Sequence, residues 1–138
     1  MSHSLYLILS KPPAEISPDE YERWYHHHVR ENIVVPGFLG AQRFAIERVM
    51  AGSLVAPGRF EQTSDQPAAP INFTHLAAYE YTGDIQKLRA ALFKRIEAGE
   101  APLPKWFRQI EFETWNCRPI EERVEPAAYS GRWGETVS

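Results

Sequence analysis

The stretch SPDEYERWYHHHVRENIVVPGF, residues 17–38, contains the start, the apolar face and the end of one helix. Ser17 followed by Pro18, with Glu20 three residues after the serine, is typical of a helix N-terminus with a capping box. Aromatic, histidine and aliphatic side chains then recur at helical spacing, at Tyr21, Trp24, Tyr25, His28 and Val29. Pro36 interrupts this pattern, so we expect the helix to end before it.

Short apolar segments on both sides of this helix predict the strands of a sheet. The predicted strands are residues 4–10, 38–49, 73–81 and 106–118. A second helix is expected between the last two strands, with Asp84 as its N-cap and Gly99 at its end. The apolar face of that helix consists of Ile85, Leu88, Leu92, Phe93 and Ile96.

Two further segments lack a hydrophobic period. Residues 50–72 contain prolines, glycines and small polar residues, so we expect a loop without secondary structure. Loops of that length are usually functional or mobile. We expect one domain over residues 1–118, followed by a C-terminal tail, residues 119–138, that packs on a partner subunit through Tyr129 and Trp133.

The order strand, helix, strand, strand, helix, strand predicts a fold class of α+β, ferredoxin-like type. In that fold both helices cover one face of a four-stranded antiparallel sheet. The first strand, however, is apolar on both sides, with Leu5, Leu7 and Leu9 opposite Tyr6 and Ile8. Because the helices cover only one face, we expect an identical chain to cover the other and form a homodimer.

Composition excludes several classes of protein. The chain has 15 Lys and Arg against 18 Asp and Glu and no long basic run, so we expect no nucleic-acid binding. No apolar segment approaches the roughly 20 residues of a membrane helix, and the N-terminus lacks a signal-peptide pattern. The single Cys117 allows no intramolecular disulfide, which agrees with a reducing compartment. These features predict a cytoplasmic protein that does not enter the membrane.

Three histidines are consecutive, but only His28 lies on the apolar face of the predicted helix. Successive helix positions point about 100° apart, so His26 and His27 face elsewhere. Two interpretations of His28 are open. It is either a hydrogen-bonded core histidine or a general acid or base that burial keeps neutral near pH 7, with a pKa close to the working pH.

His75 and Arg43 are the other polar side chains in apolar strands. His75 is in phase with Phe73, Ala77 and Tyr79 of its strand, and it is either a structural histidine or part of a site. Arg43 either binds a carboxylate or marks an exposed edge of the sheet. His27 and Glu31 have the spacing of two helical metal ligands, but no third ligand is evident, so we expect no metal.

Motifs for bound nucleotides and redox pairs are absent from the sequence. We find no phosphate loop, no GxGxxG, no GxSxG and no CxxC, so we expect a protein that needs no cofactor.

Three segments carry a family pattern: Leu5-Tyr6-Leu7-Ile8, Tyr21-x-x-Trp24-Tyr25-x-x-His28 and Val35-Pro36-Gly37-Phe38-x-x-x-x-Arg43-Phe44. They resemble the dimeric α/β-barrel superfamily and, within it, the EthD-like branch. The resemblance implies homodimers whose two sheets close into a barrel, with a ligand pocket between sheet and helices in each subunit. It also makes His28 similar to the active-site histidine of methylmuconolactone isomerase. The segment Thr74-His75-Leu76 is similar to the one that holds an active-site histidine in olivetolic acid cyclase.

The sequence and this resemblance together predict a cofactor-independent enzyme of isomerase or lyase type. Its substrate is expected to be a small hydrophobic, oxygenated compound such as an aromatic catabolite, a lactone or a polyketide. His28 and His75 are the predicted catalytic residues. The predicted substrate-binding residues are Trp24, Tyr25, Tyr6, Phe44 and Arg43.

Several alternatives are open at this stage. Isomerisation, cyclisation, dehydration and decarboxylation all fit two histidines beside a hydrophobic pocket. A second class is a ligand-binding or accessory protein without catalysis. A third is a haem-dependent or cofactorless monooxygenase, in which His28 would be the axial ligand of the haem.

Overall fold

The computed structural model describes residues 3–47, 52–62 and 73–126. In chain order its elements are β1 (Ser4–Lys11), α1 (Pro18–Asn32), β2 (Phe38–Ala45), β3 (Gly52–Ala56), β4 (Arg59–Gln62), β5 (His75–Tyr81), α2 (Ile85–Glu97), a 3-10 helix (Lys105–Gln109) and β6 (Glu111–Cys117). The main sheet has four antiparallel strands in the order β2-β5-β1-β6. This arrangement, with two α-helices, is the α+β, ferredoxin-like fold that the sequence predicts.

Helix α1 begins and ends where its local sequence predicts. The Ser17 hydroxyl accepts a hydrogen bond from the Glu20 amide at 3.1 Å, which confirms the serine as N-cap. Beyond the helix, Gly37 has a φ of +110°, a value that favours glycine. A Cβ at this position would lie 2.8 Å from Leu88 Cδ2, so glycine also allows α2 to approach the turn.

Helix α2 is also capped as predicted. The Asp84 carboxylate accepts a hydrogen bond from the Gln86 amide at 2.8 Å. Gly99 has a φ of +77° just after the last turn, which is the usual conformation of a residue that ends a helix.

The hydrophobic core lies between the two helices and one face of the sheet. Tyr21 of α1 and Tyr79 of β5 are its largest fully buried side chains. Val29 of α1, Leu88 of α2 and Ala77 of β5 pack in the same cluster. Because residues of both helices share a core with the same strand face, the helices lie on one side of the sheet, as expected.

The opposite face of the sheet is also apolar. Its register brings Leu9 of β1 opposite Leu76 of β5, which in turn is opposite Phe44 of β2. Leu7 similarly lies opposite Trp115 of β6. The exposed fraction is 41% for Phe44 and 56% for Trp115, so this face presents large apolar side chains to solvent.

Strand β2 is shorter than the predicted segment 38–49. It ends at Ala45, which pairs with His75, the first residue of β5. β5 is the strand that borders β2 in this sheet, so the ladder ends where β5 begins. Residues 48 and 49 lie outside the described part of the chain.

The predicted loop over residues 50–72 is wrong for residues 52–62. These residues form a two-stranded antiparallel sheet in which Ala56 pairs with Arg59. Pro57 and Gly58 connect the strands, and Gly58 has a φ of +72°. The sequence interpretation counted this proline and glycine as breakers, whereas together they form a tight turn between two strands. The rest of the predicted loop lies outside the described residues.

The predicted strand 106–118 begins too early. Residues 105–109 form the 3-10 helix, and the strand starts at Glu111. Trp106 and Phe107 pack against Trp24 of α1, with ring centroids 5.2 Å and 5.6 Å away. The aromatic residues of this segment are therefore packed against a helix. The sequence interpretation had attributed them to a strand.

Only part of the predicted tail is described, and residues 119–126 are exposed. Tyr129 and Trp133, the residues expected to pack on a partner, lie outside the described residues. Within the described part of the chain, neither α1 nor α2 has the length and apolarity that a bilayer crossing requires.

Candidate functional site

A cavity of about 260 Å³ lies between the sheet and the two helices. Its lining is mostly aromatic and aliphatic, and it comes from β1, α1, α2, the 3-10 helix and β6. This volume is near the lower end of small-molecule sites, which are typically about 300 to 1,000 Å³. The cavity therefore suits a compact hydrophobic ligand.

Helix α1 supplies one wall of the cavity because its apolar face is turned toward the sheet. The lining residues from this helix are Tyr21, Trp24, Tyr25, His28 and Asn32. Four of these five form the face that the sequence predicts, and Asn32 extends it by one turn. Tyr6 of β1 also lines the cavity. The structure thus brings His28, Trp24, Tyr25 and Tyr6 together, as their predicted roles require.

The His28 ring is enclosed. Its exposed fraction is 8%, and it stacks on the Trp24 ring with centroids 4.5 Å apart. Nε2 of His28 lies 3.2 Å from the side-chain nitrogen of Asn32. Among the described residues, buried Nδ1 has no hydrogen-bond partner.

The two bonds of Asn32 define the tautomer of His28. The Asn32 amide nitrogen donates one hydrogen to the Tyr79 hydroxyl, also at 3.2 Å, and its other hydrogen points to His28. In this orientation of the Asn32 amide, its nitrogen donates, so Nε2 of His28 accepts and the ring hydrogen is on Nδ1. The unpartnered atom is therefore an N–H donor.

Burial lowers the pKa of His28 from 6.5 to about 4. The imidazole is therefore neutral near pH 7, as the sequence interpretation expects of a buried histidine. A pKa close to the working pH was also expected, and that part is wrong. The neighbours of His28 are an aromatic ring and an amide, and neither offsets the cost of burying a charged ring.

The hydroxyl groups near the cavity are protonated donors. Burial raises the pKa of Tyr79 to about 12, although its bond from Asn32 opposes this shift. Burial also raises the pKa of Tyr25 and of Tyr21. The Ser10 hydroxyl lies 2.6 Å from that of Tyr21 and also interacts with that of Tyr25. Ser10, Tyr21 and Tyr25 therefore place hydroxyl groups along one side of a mostly apolar cavity.

His75 lies outside the cavity lining, although it is on the helix-facing side of β5. Its Nδ1 is hydrogen-bonded to the Thr74 hydroxyl at 2.7 Å, and its Nε2 to the Glu22 carboxylate at 3.1 Å. Its ring also contacts the Tyr21 ring, with centroids 4.9 Å apart. Both ring nitrogens of His75 are thus engaged by protein groups, which is the arrangement of a structural histidine.

Arg43 is bound to the same carboxylate. Its guanidinium donates to Glu22 at 2.9 Å and lies over the Tyr25 ring, 4.6 Å from the centroid. The hydrogen bond from Arg43 holds the pKa of the Glu22 carboxyl below its ordinary value. Arg43 lies on β2, an edge strand of the sheet, and binds a carboxylate there, but it does not line the cavity. It joins β2 to α1 through Glu22.

Phe44 is separated from the other predicted substrate-binding residues. It pairs with Leu76 on the open face of the sheet, whereas the cavity lies on the helix face. Neighbouring strand residues point to opposite faces, so Phe44 and Arg43 cannot both face the helices.

Sequence reasoning missed Asn32, Ser10 and Arg89 as lining residues. Asn32 follows His28 by four positions, a spacing at which helical side chains meet. Arg89 falls in phase with Ile85, Leu92 and Phe93 on the apolar face of α2. Only Ser10, one serine in an apolar strand, carried no comparable signal.

Metal and haem coordination fit these residues poorly. Within the described residues, no group of three or more His, Cys, Asp or Glu side chains could hold a metal ion. Haem coordination by His28 would need a ring nitrogen with a free lone pair. Nε2 is engaged by Asn32, and Nδ1 is buried and carries the hydrogen.

Comparison of the chain with models of known protein families and with curated proteins found no match.

Proposed function

We propose that this protein is a cofactor-independent enzyme that transfers protons on a small, hydrophobic, oxygenated compound. One observation carries the proposal: His28 is buried and neutral beside an apolar cavity, and its Nδ1 has no partner among the described residues. A buried donor without a partner costs about 1 to 3 kcal/mol, and a substrate oxygen that accepts the hydrogen bond would offset this cost.

The Asn32 amide supports proton transfer in both directions. As arranged, the hydrogen is on buried Nδ1, and a rotation of the ring that brings this atom to the cavity would offer the hydrogen to a substrate oxygen and polarise a carbonyl group there. Rotation of the Asn32 amide by half a turn would present its oxygen to Nε2 instead. The ring hydrogen would then be on Nε2, and Nδ1 would be free to accept a proton from carbon. Isomerisation, cyclisation, dehydration and decarboxylation all use steps of this kind.

The hydroxyl groups of Ser10, Tyr21 and Tyr25 suit the oxygen substituents of such a compound. They are among the polar groups of a mostly apolar lining, and burial keeps both tyrosines protonated. The Trp24 and Phe107 rings provide flat apolar surfaces for the body of the ligand. A lactone or an aromatic ring with carbonyl or hydroxyl groups matches this combination.

In this proposal His28 is the proton-transfer residue and His75 is a positioning residue. Both nitrogens of His75 are engaged, and it reaches the cavity only through its contact with the Tyr21 ring. The carboxylate of Glu22 holds His75 and Arg43 together at one end of α1.

We also propose that the chain is an EthD-like member of the dimeric α/β-barrel superfamily. Support comes from the ferredoxin-like order of elements and from a cavity between sheet and helices that His28 lines. The free thiol of Cys117 suits a protein that works in the cytoplasm.

A homodimer is part of the same proposal. The sheet face opposite the helices presents Leu7, Leu9, Phe44, Leu76 and Trp115, and large apolar patches of this kind mark interaction surfaces. A second copy offers a matching surface of the same shape and character, which is how twofold interfaces are built. Contact between the open sheet faces of two copies would close the two sheets into a barrel.

The proposed activity can be tested before the substrate is identified. Lactones, phenols and aromatic acids are screened by thermal shift on the wild type, and each stabilising compound is then followed by mass spectrometry. A ligand at 100 times its dissociation constant stabilises the native state by about 2.7 kcal/mol, which raises Tm by several degrees. We expect at least one stabilising compound to be chemically converted.

Two variants then assign the conversion to His28. His28→Gln should lower turnover by about 10² to 10⁴-fold, the usual contribution of general acid–base catalysis. His27→Gln is the matched control, because His27 is the exposed neighbour on the same helix, and it should retain full turnover. Stabilising compounds that are all recovered unchanged would contradict an enzyme, and full turnover in His28→Gln would contradict the role of His28.

A further inference from the structure

The cavity has one charged lining residue among those described, Arg89 of α2. The other lining residues from α2 are Leu92, Phe93 and Ile96, three, four and seven positions further along. Arg89 therefore belongs to the apolar face of its helix and is partly buried there. A cation at such a position calls for a specific explanation.

Unlike Arg43 and Arg95, Arg89 has no acidic side chain paired with it in the described part of the chain. Arg43 is bonded to Glu22 at 2.9 Å, and Arg95 to Glu100 at the same distance. The Nε atom of Arg89 is buried and has no hydrogen-bond partner among the described residues. Its guanidinium does contact the Phe93 ring, 5.6 Å from the centroid.

This arrangement leaves a positive charge at an apolar cavity without a counterion. Burying a charge is unfavourable unless the charge is paired and hydrogen-bonded. A guanidinium presents a planar set of N–H donors that matches a carboxylate in a bidentate geometry. Among the described residues, no Asp or Glu lines the cavity, so a carboxylate that meets Arg89 there would come from a ligand.

We propose that Arg89 binds the carboxylate of the ligand and that the substrates are small aromatic or alicyclic carboxylic acids. This inference deepens the proposed function and rests on its cavity. The carboxylate is held at α2, the ring of the acid lies among the aromatic side chains, and the reacting carbon faces His28 on α1. Arg89 thereby selects acids over neutral compounds of the same shape.

A matched pair of ligands tests this selection directly. The affinities of 2-naphthoate and 2-naphthamide are measured near pH 7 by titration calorimetry, on the full chain without any other ligand. The two compounds have the same ring and nearly the same volume, but only the first carries a charge. The wild type should bind 2-naphthoate at least about tenfold more tightly than 2-naphthamide, as charged hydrogen bonds are stronger than neutral ones.

Three variants complete the test. Arg89→Met should weaken 2-naphthoate binding by about 10 to 100-fold and change 2-naphthamide binding by less than about twofold. Lys94→Met removes the same charge from an exposed position on α2 and should leave both affinities unchanged. Arg89→Lys keeps the charge but not the planar donor set, so its affinity for 2-naphthoate should lie between those of the wild type and Arg89→Met.

The proposal is overturned by any of three results. The first is that the wild type binds the acid no more tightly than the amide, or binds neither at millimolar concentration. The second is that Arg89→Met and Arg89→Lys weaken both ligands by the same factor, which would indicate lost packing. The third is that Lys94→Met weakens 2-naphthoate as much as Arg89→Met does, which would indicate a long-range charge effect.

Failure of this inference can be distinguished from failure of the proposed function. If acids bind through Arg89 and none is ever converted, the carboxylate site stands and the enzyme does not. If a neutral compound is converted in a reaction that depends on His28, and Arg89→Met leaves its kcat/KM unchanged, the enzyme stands and the carboxylate site does not.

Discussion

The side-chain nitrogen of Asn32 lies 3.2 Å from Nε2 of His28, one helical turn earlier on α1, and this hydrogen bond is buried. The same nitrogen donates to Tyr79 of β5, so one amide orients the histidine and joins the helix to the sheet. Orientation of a buried histidine by a second polar group is a common arrangement where a histidine transfers protons.

Replacing Asn32 should reveal the strength of this connection. Asn32→Leu keeps the approximate volume but leaves the Tyr79 hydroxyl and His28 Nε2 buried without their partner. Each unsatisfied group costs about 1 to 3 kcal/mol, so we expect a loss of about 2 to 6 kcal/mol in the free energy of unfolding. Urea unfolding followed by circular dichroism measures this loss.

Tyr79→Phe provides the control for that experiment. This variant removes the hydroxyl that accepts the hydrogen bond from Asn32. The double variant, Asn32→Leu with Tyr79→Phe, should therefore lose less free energy of unfolding than the two single variants together. Strict additivity would mean that the amide and the hydroxyl do not interact, contrary to the geometry described above.

The lowered pKa of His28 predicts how stability depends on pH. The pKa is 6.5 in the unfolded chain and about 4 in the folded protein, so between these values the unfolded state binds more protons. The free energy of unfolding therefore rises with pH across this window and falls as the protein is acidified. For a shift of this size the contribution at neutral pH is about 3 kcal/mol, and it disappears below about pH 4.

His28→Gln isolates this contribution, because glutamine does not titrate. The free energy of unfolding of both proteins is measured in urea at neutral pH and near pH 4. The decrease between these two pH values should be larger in the wild type by up to about 3 kcal/mol. Other groups, such as Glu22, titrate in both proteins and cancel in the difference. Equal losses would show that His28 has the same pKa folded and unfolded.

The two histidines should respond differently once a converted compound is known. His75→Gln breaks hydrogen bonds to Thr74 and Glu22 outside the cavity, so we expect turnover within a few-fold of wild type and a loss of about 1 kcal/mol in stability. His28→Gln should have the much larger effect on turnover. Steady-state kinetics and urea unfolding on the same preparations measure both effects. A severe loss of turnover in His75→Gln would restore the catalytic role that the sequence resemblance predicts.

The open sheet face predicts a dimer that a single charge should disrupt. The wild type is expected to have twice the mass of one chain at micromolar concentration in analytical ultracentrifugation. Trp115→Glu places a charge on the apolar face, on the edge strand β6, and should yield monomers, because an unpaired charge in an interface is strongly unfavourable. Val34→Glu is the control, since Val34 is exposed in the turn between α1 and β2 and should leave the dimer intact. A monomeric wild type would contradict the proposed dimer.

Local sequence was sufficient for the two α-helices and for their order relative to the four strands of the main sheet. The N-cap at Ser17 and the glycine that ends α2 at Gly99 depend on nearest neighbours along the chain, and both predictions are confirmed. The aromatic segment at Trp106 misled the interpretation, because burial against a helix and burial in a sheet select the same residue types. The hairpin around Gly58 was missed because turn residues also occur in loops.

The sequence by itself determined the ferredoxin-like order and the face of α1 that carries His28, since both depend on spacings within single elements. Tertiary structure alone decided which polar groups meet at that face. Strand register places Ser10 at the cavity. It places His75 beside Glu22, outside the cavity, and it places Phe44 on the opposite face of the sheet. Packing of α2 brings Arg89 to the same cavity. These juxtapositions join residues far apart in the chain, and no local periodicity specifies which of them come into contact.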